Sequence, residues 1–94
     1  MDIVRKSIAL NDAIEKAYKP LNWIDTTIWQ DRDMESISFT DTGESEDLFF
    51  NKMRNIKEFV KNFGYTAELI KFPADCECPY HEATININFN GGEL

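Results

Sequence analysis

The chain has 94 residues, of which 43% are hydrophobic and 13% aromatic, a composition typical of one folded domain, residues 1–94, and not of a disordered chain. Its net charge of −7 disfavours direct binding to nucleic acid and favours a basic partner. There is no cationic leader, no stretch of about 18 apolar residues and no cysteine-rich framework. We therefore expect a cytoplasmic protein that does not enter a membrane.

The first predicted element is a helix from Asp2 to Tyr18. Its apolar positions recur every three or four residues, and Pro20 ends the pattern because proline cannot continue a helix. The predicted buried face consists of Ile3, Ser7, Leu10, Ile14 and Ala17, widened by Val4 and Ile8.

Two strands are predicted next, joined by a turn at residues 31–33. Residues 22–30 are rich in Trp, Ile and Thr, which favour strands, and residues 35–40 place Ile37 and Phe39 inward. Strict alternation along the first strand puts Trp23 and Trp29 on one face, together with Asp25 and Thr27. Large apolar groups then lie on both faces, so we expect both faces to be covered.

The central predicted element is a helix between Ser45 and Gly64. Ser45 is a suitable N-cap, Glu46 and Asp47 suit the positive end of the helix dipole, and Gly64 can take the left-handed conformation that stops a helix. The predicted apolar face consists of Phe49, Met53, Ile56, Val60 and Phe63.

Two further strands, residues 65–72 and 82–90, complete the chain. The last strand alternates most clearly, with Ala83, Ile85, Ile87 and Phe89 inward and Thr84, Asn86 and Asn88 outward. Residues 91–94 are expected to form a flexible tail. Short connections predict hairpins, so the fold class is α+β in αββαββ order, with an antiparallel sheet of about four strands and two helices packed on one face.

Both cysteines and the only histidine lie between the last two strands. Cys76, Cys78 and His81 are weak candidates for a metal site, because their spacing lacks a separated second pair of ligands. The alternative is a reduced polar connector, and we expect no metal or other cofactor. Three residues of extended chain would separate Cys78 from His81 by roughly 10 Å, and no phosphate-binding glycine loop occurs. We therefore expect no enzymatic activity.

Residues 25–47 contain eight acids and one base, Arg32. The acids are Asp25, Asp31, Asp33, Glu35, Asp41, Glu44, Glu46 and Asp47. If Asp31, Asp33 and Glu35 lie in extended chain, their side chains share one face at intervals of about 6.6 Å, a spacing compatible with mimicry of a nucleic-acid strand. The alternative is that these acids are solvated at turns or serve the start of a helix. We predict a partner-binding surface here.

Trp23 and Trp29 form a second candidate surface. Tryptophan is enriched where binding energy concentrates, and the predicted face needs a loop, a second subunit or a partner as its cover. The alternative is that both rings belong to the core.

In size, acidity and absence of catalytic motifs, the chain resembles the small inhibitors that phages and mobile elements direct at nucleic-acid enzymes of their hosts, including anti-CRISPR and DNA-mimic proteins. The resemblance implies a non-enzymatic inhibitor in the host cytoplasm that occludes a basic, nucleic-acid-handling protein. One alternative is a self-associating accessory or immunity-type domain, a possible homodimer, that uses the tryptophan face. A small zinc-binding module is the third interpretation.

Overall fold

A computed structural model describes residues 3–92 and places two helices against one four-stranded antiparallel sheet. The elements are α1 (Ile3–Tyr18), β1 (Asn22–Trp29), a 3-10 turn (Gln30–Arg32), β2 (Met34–Thr40), α2 (Glu46–Lys61), β3 (Thr66–Phe72) and β4 (Glu82–Asn88). The predicted α+β class and the αββαββ order are confirmed. Neither of the two described helices is long and apolar enough to cross a membrane.

The strands follow the order β1-β2-β4-β3, with antiparallel pairing between all neighbours. Both predicted hairpins are therefore present, but the last strand lies between the second and the third. This central place suits β4, because its inward side chains, Ala83, Ile85 and Ile87, are all fully buried. The sequence had left the strand order open.

Both helices cover the same face of the sheet, as predicted, and α2 lies over β3 and β4. Phe49, Met53, Ile56 and Val60 of α2 are buried against the inward residues of the sheet. Ser45 caps α2 by accepting a hydrogen bond from the Leu48 backbone N at 3.4 Å. The assignment of the central helix is confirmed, including a left-handed Gly64 with φ of 89° beyond its end.

Three residues predicted for the buried helix faces lie on the surface. Phe63 lies two residues beyond the end of α2 and therefore leaves the stripe, with 45% of its surface exposed. On α1, Ile8 and Ala17 are exposed. The buried stripe of α1 is narrow: it continues from Ile14 to the half-buried Tyr18, whose ring meets the Phe59 ring edge-on. Ile8 is turned about 100° away from the buried Ser7.

The two tryptophans do not share a face, so that prediction is wrong. Trp23 pairs with Phe39 but Asp25 pairs with Ser38, which leaves Ile24 as the extra residue of a β-bulge. Trp23 turns towards the helices. The centre of its ring lies 4.6 Å from the centre of the Phe39 ring, and its Nε1 donates to Glu15 Oε2 at 2.6 Å. Helices therefore cover only one face of β1, and Trp29 lies on the other.

The predicted row of carboxylates at residues 31, 33 and 35 is also absent. Asp31 lies in the 3-10 turn, and Asp33 is left-handed with φ of 52°. Glu35 is an inward residue of β2, paired with Ile28 and Ile87, and is fully buried. Alternation requires this, because Glu35, Ile37 and Phe39 are two residues apart.

The chain beyond β4 stays hydrogen-bonded to neighbouring parts of the fold. Phe89 N donates to the carbonyl of Asp33 at 2.8 Å, and the hydroxyl of Thr66 donates to the carbonyl of Gly92. Gly91 and Gly92 are thus attached to the fold, whereas Glu93 and Leu94 of the predicted tail lie outside the described residues, as do Met1 and the first residue of the predicted first helix, Asp2.

Candidate functional site

The face of the sheet opposite the helices, called the open face below, is covered by no described element. Cross-strand pairing fixes its members, because paired residues point to the same side of a sheet. They are Asn22, Asp25, Thr27 and Trp29 of β1, Met34, Ser36, Ser38 and Thr40 of β2, Glu82, Thr84, Asn86 and Asn88 of β4, and Thr66, Glu68, Ile70 and Phe72 of β3.

Small polar side chains occupy the middle of the open face. Ser38 and Thr84 hydroxyls share a hydrogen bond of 2.8 Å across β2 and β4, and the Ser36 hydroxyl donates to the Asn86 side chain. Cross-strand polar pairs of this kind stabilise a sheet without a cover. The centre is therefore short, polar and rich in groups that can exchange hydrogen bonds with a partner.

The charges of the open face are all negative. Asp25 lies on β1, Glu68 on β3 and Glu82 on β4, and none of the strand residues on this side of the sheet is basic. Asp25 and Glu68 are on opposite edges, separated by three strand spacings of about 4.8 Å each. The three carboxylates thus surround the polar centre and can attract cationic groups across the width of the sheet.

Apolar side chains flank the polar centre. Trp29 and Met34 lie at the end of the β1–β2 hairpin, and Ile70 and Phe72 lie along β3. Trp29 is 39% exposed and Phe72 is 49% exposed. These rings provide apolar area beside the carboxylates, a combination typical of protein-binding surfaces.

Most of the bases lie away from the open face. Seven of the ten Lys and Arg residues are on α1 and α2, against five acids on the same two helices. Lys71 is on β3 but faces the helix layer, where its Nζ lies 5.9 Å from the centre of the Phe50 ring. The helix layer is therefore mildly positive and the open face negative.

Only Asp25 of the eight acids predicted as one surface belongs to the open face. Asp31 is exposed in the turn at one end of β2, while Glu46 and Asp47 are exposed at the start of α2, which follows the other end. Seven residues of strand, about 23 Å, separate these ends. The predicted surface is thus divided between distant places.

Asp33 and Asp41 are structural. Asp33 Oδ2 accepts from Asn90 Nδ2 at 2.7 Å, next to the backbone contact with Phe89. Asp41 Oδ2 accepts from the His81 backbone N at 2.9 Å, and its Oδ1 accepts from Gly43 N at 3.0 Å. Both carboxylates therefore hold loops in place.

Glu44 organises the connection before α2. Its Oε2 accepts from the Thr42 backbone N at 2.9 Å and from the Thr42 hydroxyl, and Lys52 Nζ lies 3.4 Å from its Oε1. Burial by itself raises the pKa of Glu44, but the hydrogen bonds from Thr42 and from the Glu44 backbone, with the Lys52 charge, lower the pKa below its usual value. Glu44 is therefore a charged group whose carboxylate is already bound by Thr42 and Lys52.

The segment with both cysteines is a connection built on Asp75. Asp75 Oδ1 accepts from the backbone N of Glu77 and of Cys78, at 2.9 and 2.8 Å. Cys76 is exposed, and the Cys78 thiol is directed at Glu82 Oε1, 3.7 Å away. His81 Nδ1 accepts from the Ala74 backbone N at 3.1 Å, so the neutral imidazole carries its proton on Nε2. Among residues 3–92, no three His, Cys, Asp or Glu side chains lie close enough to hold a metal ion.

Sequence reasoning missed Glu68 and Glu82 as site residues. The outward series Thr84, Asn86 and Asn88 was recognised, and extending its two-residue period backwards reaches Glu82. Glu68 has the same relation to Thr66 and Ile70 on β3. Glu68 and Glu82 share the open face with Asp25 because of the order in which the strands pair, and this order cannot be read from a local sequence pattern.

The open face offers charge and hydrogen bonds on an uncovered surface. The described residues enclose no pocket. An exposed sheet face of this kind suits contact with the surface of another macromolecule. The chain matches no protein-family model, no curated protein and no solved structure.

Proposed function

We propose that this protein is a non-enzymatic binding protein that places its open face against a basic surface of a nucleic-acid-handling protein and occludes that surface. One observation carries the proposal: the strand residues on the uncovered side of the sheet include Asp25, Glu68 and Glu82 and no base. A face with one sign of charge attracts a partner of the opposite sign and repels polyanions.

The distribution of charge supports a defined orientation. Bases are concentrated on α1 and α2, on the opposite side of the sheet. A basic partner therefore encounters attraction on the sheet side and weaker or opposite forces on the helix side. This asymmetry raises the association rate for docking through the open face, an effect that added salt weakens.

The aromatic rings that flank the polar centre support a complex that dissociates slowly once it has formed. Trp29 and Phe72 stand at opposite ends of the open face and retain much of their surface in solvent. Aromatic side chains are typical anchors of protein interfaces, because they bury a large area with few rotatable bonds. We expect the carboxylates to govern association and the rings to govern dissociation.

We infer a nucleic-acid-handling partner because a partner of the acidic open face must carry a positively charged surface. Proteins that bind phosphate backbones carry extended basic surfaces, and a carboxylate-bearing cover competes with the nucleic acid for them. The protein would then act as an inhibitor, as expected of a phage-encoded anti-defence protein. Competition by duplex DNA separates this partner class from other basic proteins.

The test compares two matched variants. The sheet-face variant carries Asp25→Asn, Glu68→Gln and Glu82→Gln. The helix-face variant carries Asp12→Asn, Asp47→Asn and Glu58→Gln, which are exposed acids of the helices. Each variant loses three carboxylates and keeps the shapes of its side chains, so the two share one net charge. The helix-face changes also remove the exposed ion pairs Asp12–Lys16 and Glu58–Lys61, which contribute little to stability.

The first measurement is an NMR titration of labelled protein with an arginine-rich peptide, with a glutamate-rich peptide of equal length as control. We expect shifts at Ser36, Ser38 and Asn86 and an affinity that falls about tenfold or more in the sheet-face variant, because three charge pairs of about 0.5–1 kcal/mol each are lost. Shifts centred on α1 or α2, or equal losses in both variants, would contradict the proposal.

The second measurement is capture from a bacterial lysate at low salt. We expect the parent and the helix-face variant to retain a basic protein that the sheet-face variant loses and that duplex DNA displaces. A captured protein that DNA does not displace would contradict a nucleic-acid-handling partner. It would still agree with a partner that presents a basic surface.

A second copy of the chain is the alternative occupant of the open face, as expected for a homodimer. Trp29 and Phe72 favour it, but face-to-face pairing would bring the three carboxylates of each copy together without a base. Like charges in contact oppose association. Analytical ultracentrifugation checks this: a dimer at low salt that is lost on Trp29→Ala would favour the alternative.

A further inference from the structure

Among residues 3–92, Glu35 has the one fully buried carboxyl group, and no part of the proposed binding surface uses it. Glu35 is fully buried in β2 beneath α1. Its Oε2 accepts two hydrogen bonds from α1, from the Ser7 hydroxyl at 2.7 Å and from Asn11 Nδ2 at 3.0 Å. Its Oε1 is buried without a partner among the described residues, and so is Asn11 Oδ1.

The surroundings of Glu35 provide no charge to balance a carboxylate. On the sheet, its neighbours across β1 and β4 are Ile28 and Ile87. The buried side chains of α2 are all apolar. Of the charged residues of α1, Glu15 binds the Trp23 ring nitrogen, Lys6 is half-buried, and Arg5, Asp12 and Lys16 are exposed.

The pKa of Glu35 reflects this environment. Burial raises the pKa above the usual value, and the hydrogen bonds from Asn11 and Ser7 only partly oppose that effect. No charged group of the described chain contributes to the shift. Burial of a charge without a countercharge is costly, and a carboxyl group avoids that cost by taking up a proton.

One proton would also satisfy both unpaired oxygens. A carboxylate has only acceptors, so neither Glu35 Oε1 nor Asn11 Oδ1 can serve the other. A proton on Oε1 would make it a donor, and the Asn11 amide, whose Nδ2 already contacts Oε2, carries an acceptor without a partner in its Oδ1. Acid and amide then form two parallel hydrogen bonds in a ring.

We propose that the folded protein keeps the Glu35 carboxyl group protonated, paired with the Asn11 amide, to pH values at which an ordinary glutamate is already ionised, and that this proton fastens α1 to the sheet in a pH-dependent way. The proton comes from solvent and returns to solvent when the carboxyl group ionises. Between the ordinary and the raised pKa, the folded state binds more protons than the unfolded state, so stability declines as pH rises through this interval. Loss of the proton removes the acid–amide pair and leaves a charge beneath α1.

The direct test is an NMR titration of the side-chain carboxyl carbons, which follows each glutamate by its own chemical shift. We expect Glu35 to remain in its acid form at pH values where glutamate in a short unstructured peptide has already ionised. Titration of Glu35 together with that peptide would overturn the proposal. The measurement uses the unmodified protein and so does not depend on a variant that folds.

The second test is the variant Glu35→Gln, with Glu82→Gln as matched control. A glutamine keeps one acceptor for Ser7 and Asn11 and donates to Asn11 Oδ1 without any proton uptake. We expect its denaturant midpoint to equal or exceed that of the parent at neutral pH, and its α1 amides to keep their hydrogen-exchange protection, relative to α2 amides, as pH rises. In the parent and in the Glu82→Gln control, the hydrogen-exchange protection of the α1 amides should fall before that of the α2 amides as pH rises. A lower midpoint, or equal pH dependence in all three proteins, would overturn the proposal.

Discussion

At the scale of residues, aspartates with the same side chain differ in what that side chain contacts. The carboxylate of Asp41 accepts hydrogen bonds from two backbone groups, His81 N and Gly43 N, and the Asp41 backbone N donates to the His81 carbonyl at 3.0 Å. Asp41 thereby ties the end of β2 to the start of β4. Asp31, in the turn at the opposite end of β2, is exposed.

We expect Asp41→Ala to lower the free energy of unfolding by about 1–3 kcal/mol, because two backbone donors lose their acceptor. The matched change Asp31→Ala should alter it by less than about 0.5 kcal/mol. Urea denaturation of both variants measures the difference. Equal effects would show that Asp41 does not hold this connection.

At the scale of elements, α2 gives the fold its centre. Its stripe of Phe49, Met53, Ile56 and Val60 is buried, its N-cap is formed by Ser45, and acids in its first turn complement the helix dipole. Packing, rather than intrinsic propensity, stabilises a helix of this length in a small domain. The stripe is therefore where truncation costs most.

Ile56→Ala should lower the free energy of unfolding by about 2–5 kcal/mol, from lost burial and from the cavity that remains. The control is Ile8→Ala on α1, since Ile8 is 64% exposed and should change stability by less than about 0.5 kcal/mol. Guanidinium denaturation compares the two. An Ile56→Ala protein as stable as the parent would refute the assigned core face.

At the scale of the whole molecule, one core joins both helices to the sheet, and the exterior divides into an acidic sheet side and a helix side that carries most bases. The same arrangement stabilises the fold and exposes the proposed binding surface. The connection with Cys76, Cys78 and His81 lies at the edge of this core, where the His81 ring lies 5.9 Å from the Phe50 ring.

A chelator should leave the melting temperature unchanged, because the contacts of this connection are hydrogen bonds and ring packing. Structural zinc contributes directly to folding, so its removal lowers a melting temperature. Calorimetry with and without chelator measures this, with Cys76→Ser as the companion variant. Stoichiometric zinc that is lost on Cys76→Ser, with a lower melting temperature, would favour the zinc-module interpretation instead.

The sequence by itself determined the features that depend on neighbours along the chain. The period of α2, its Ser45 cap and its Gly64 stop are local, and so is the alternation of β4. The count and order of elements follow from the same patterns, as does the placement of both helices on one face. These predictions are confirmed because helix and strand periods act over a few residues.

Only the tertiary structure decided which side chains share a surface. The bulge at Ile24 turned Trp23 into the core and left Trp29 outside, because one extra residue reverses every later side chain of a strand. Insertion of β4 between β2 and β3 brought Asp25, Glu68 and Glu82 to one face. The donors that meet the buried Glu35, Ser7 and Asn11, lie on α1 more than twenty residues away in the chain. Such pairings between distant segments leave no periodic trace in the sequence, so the fold class was predictable and the membership of the open face was not.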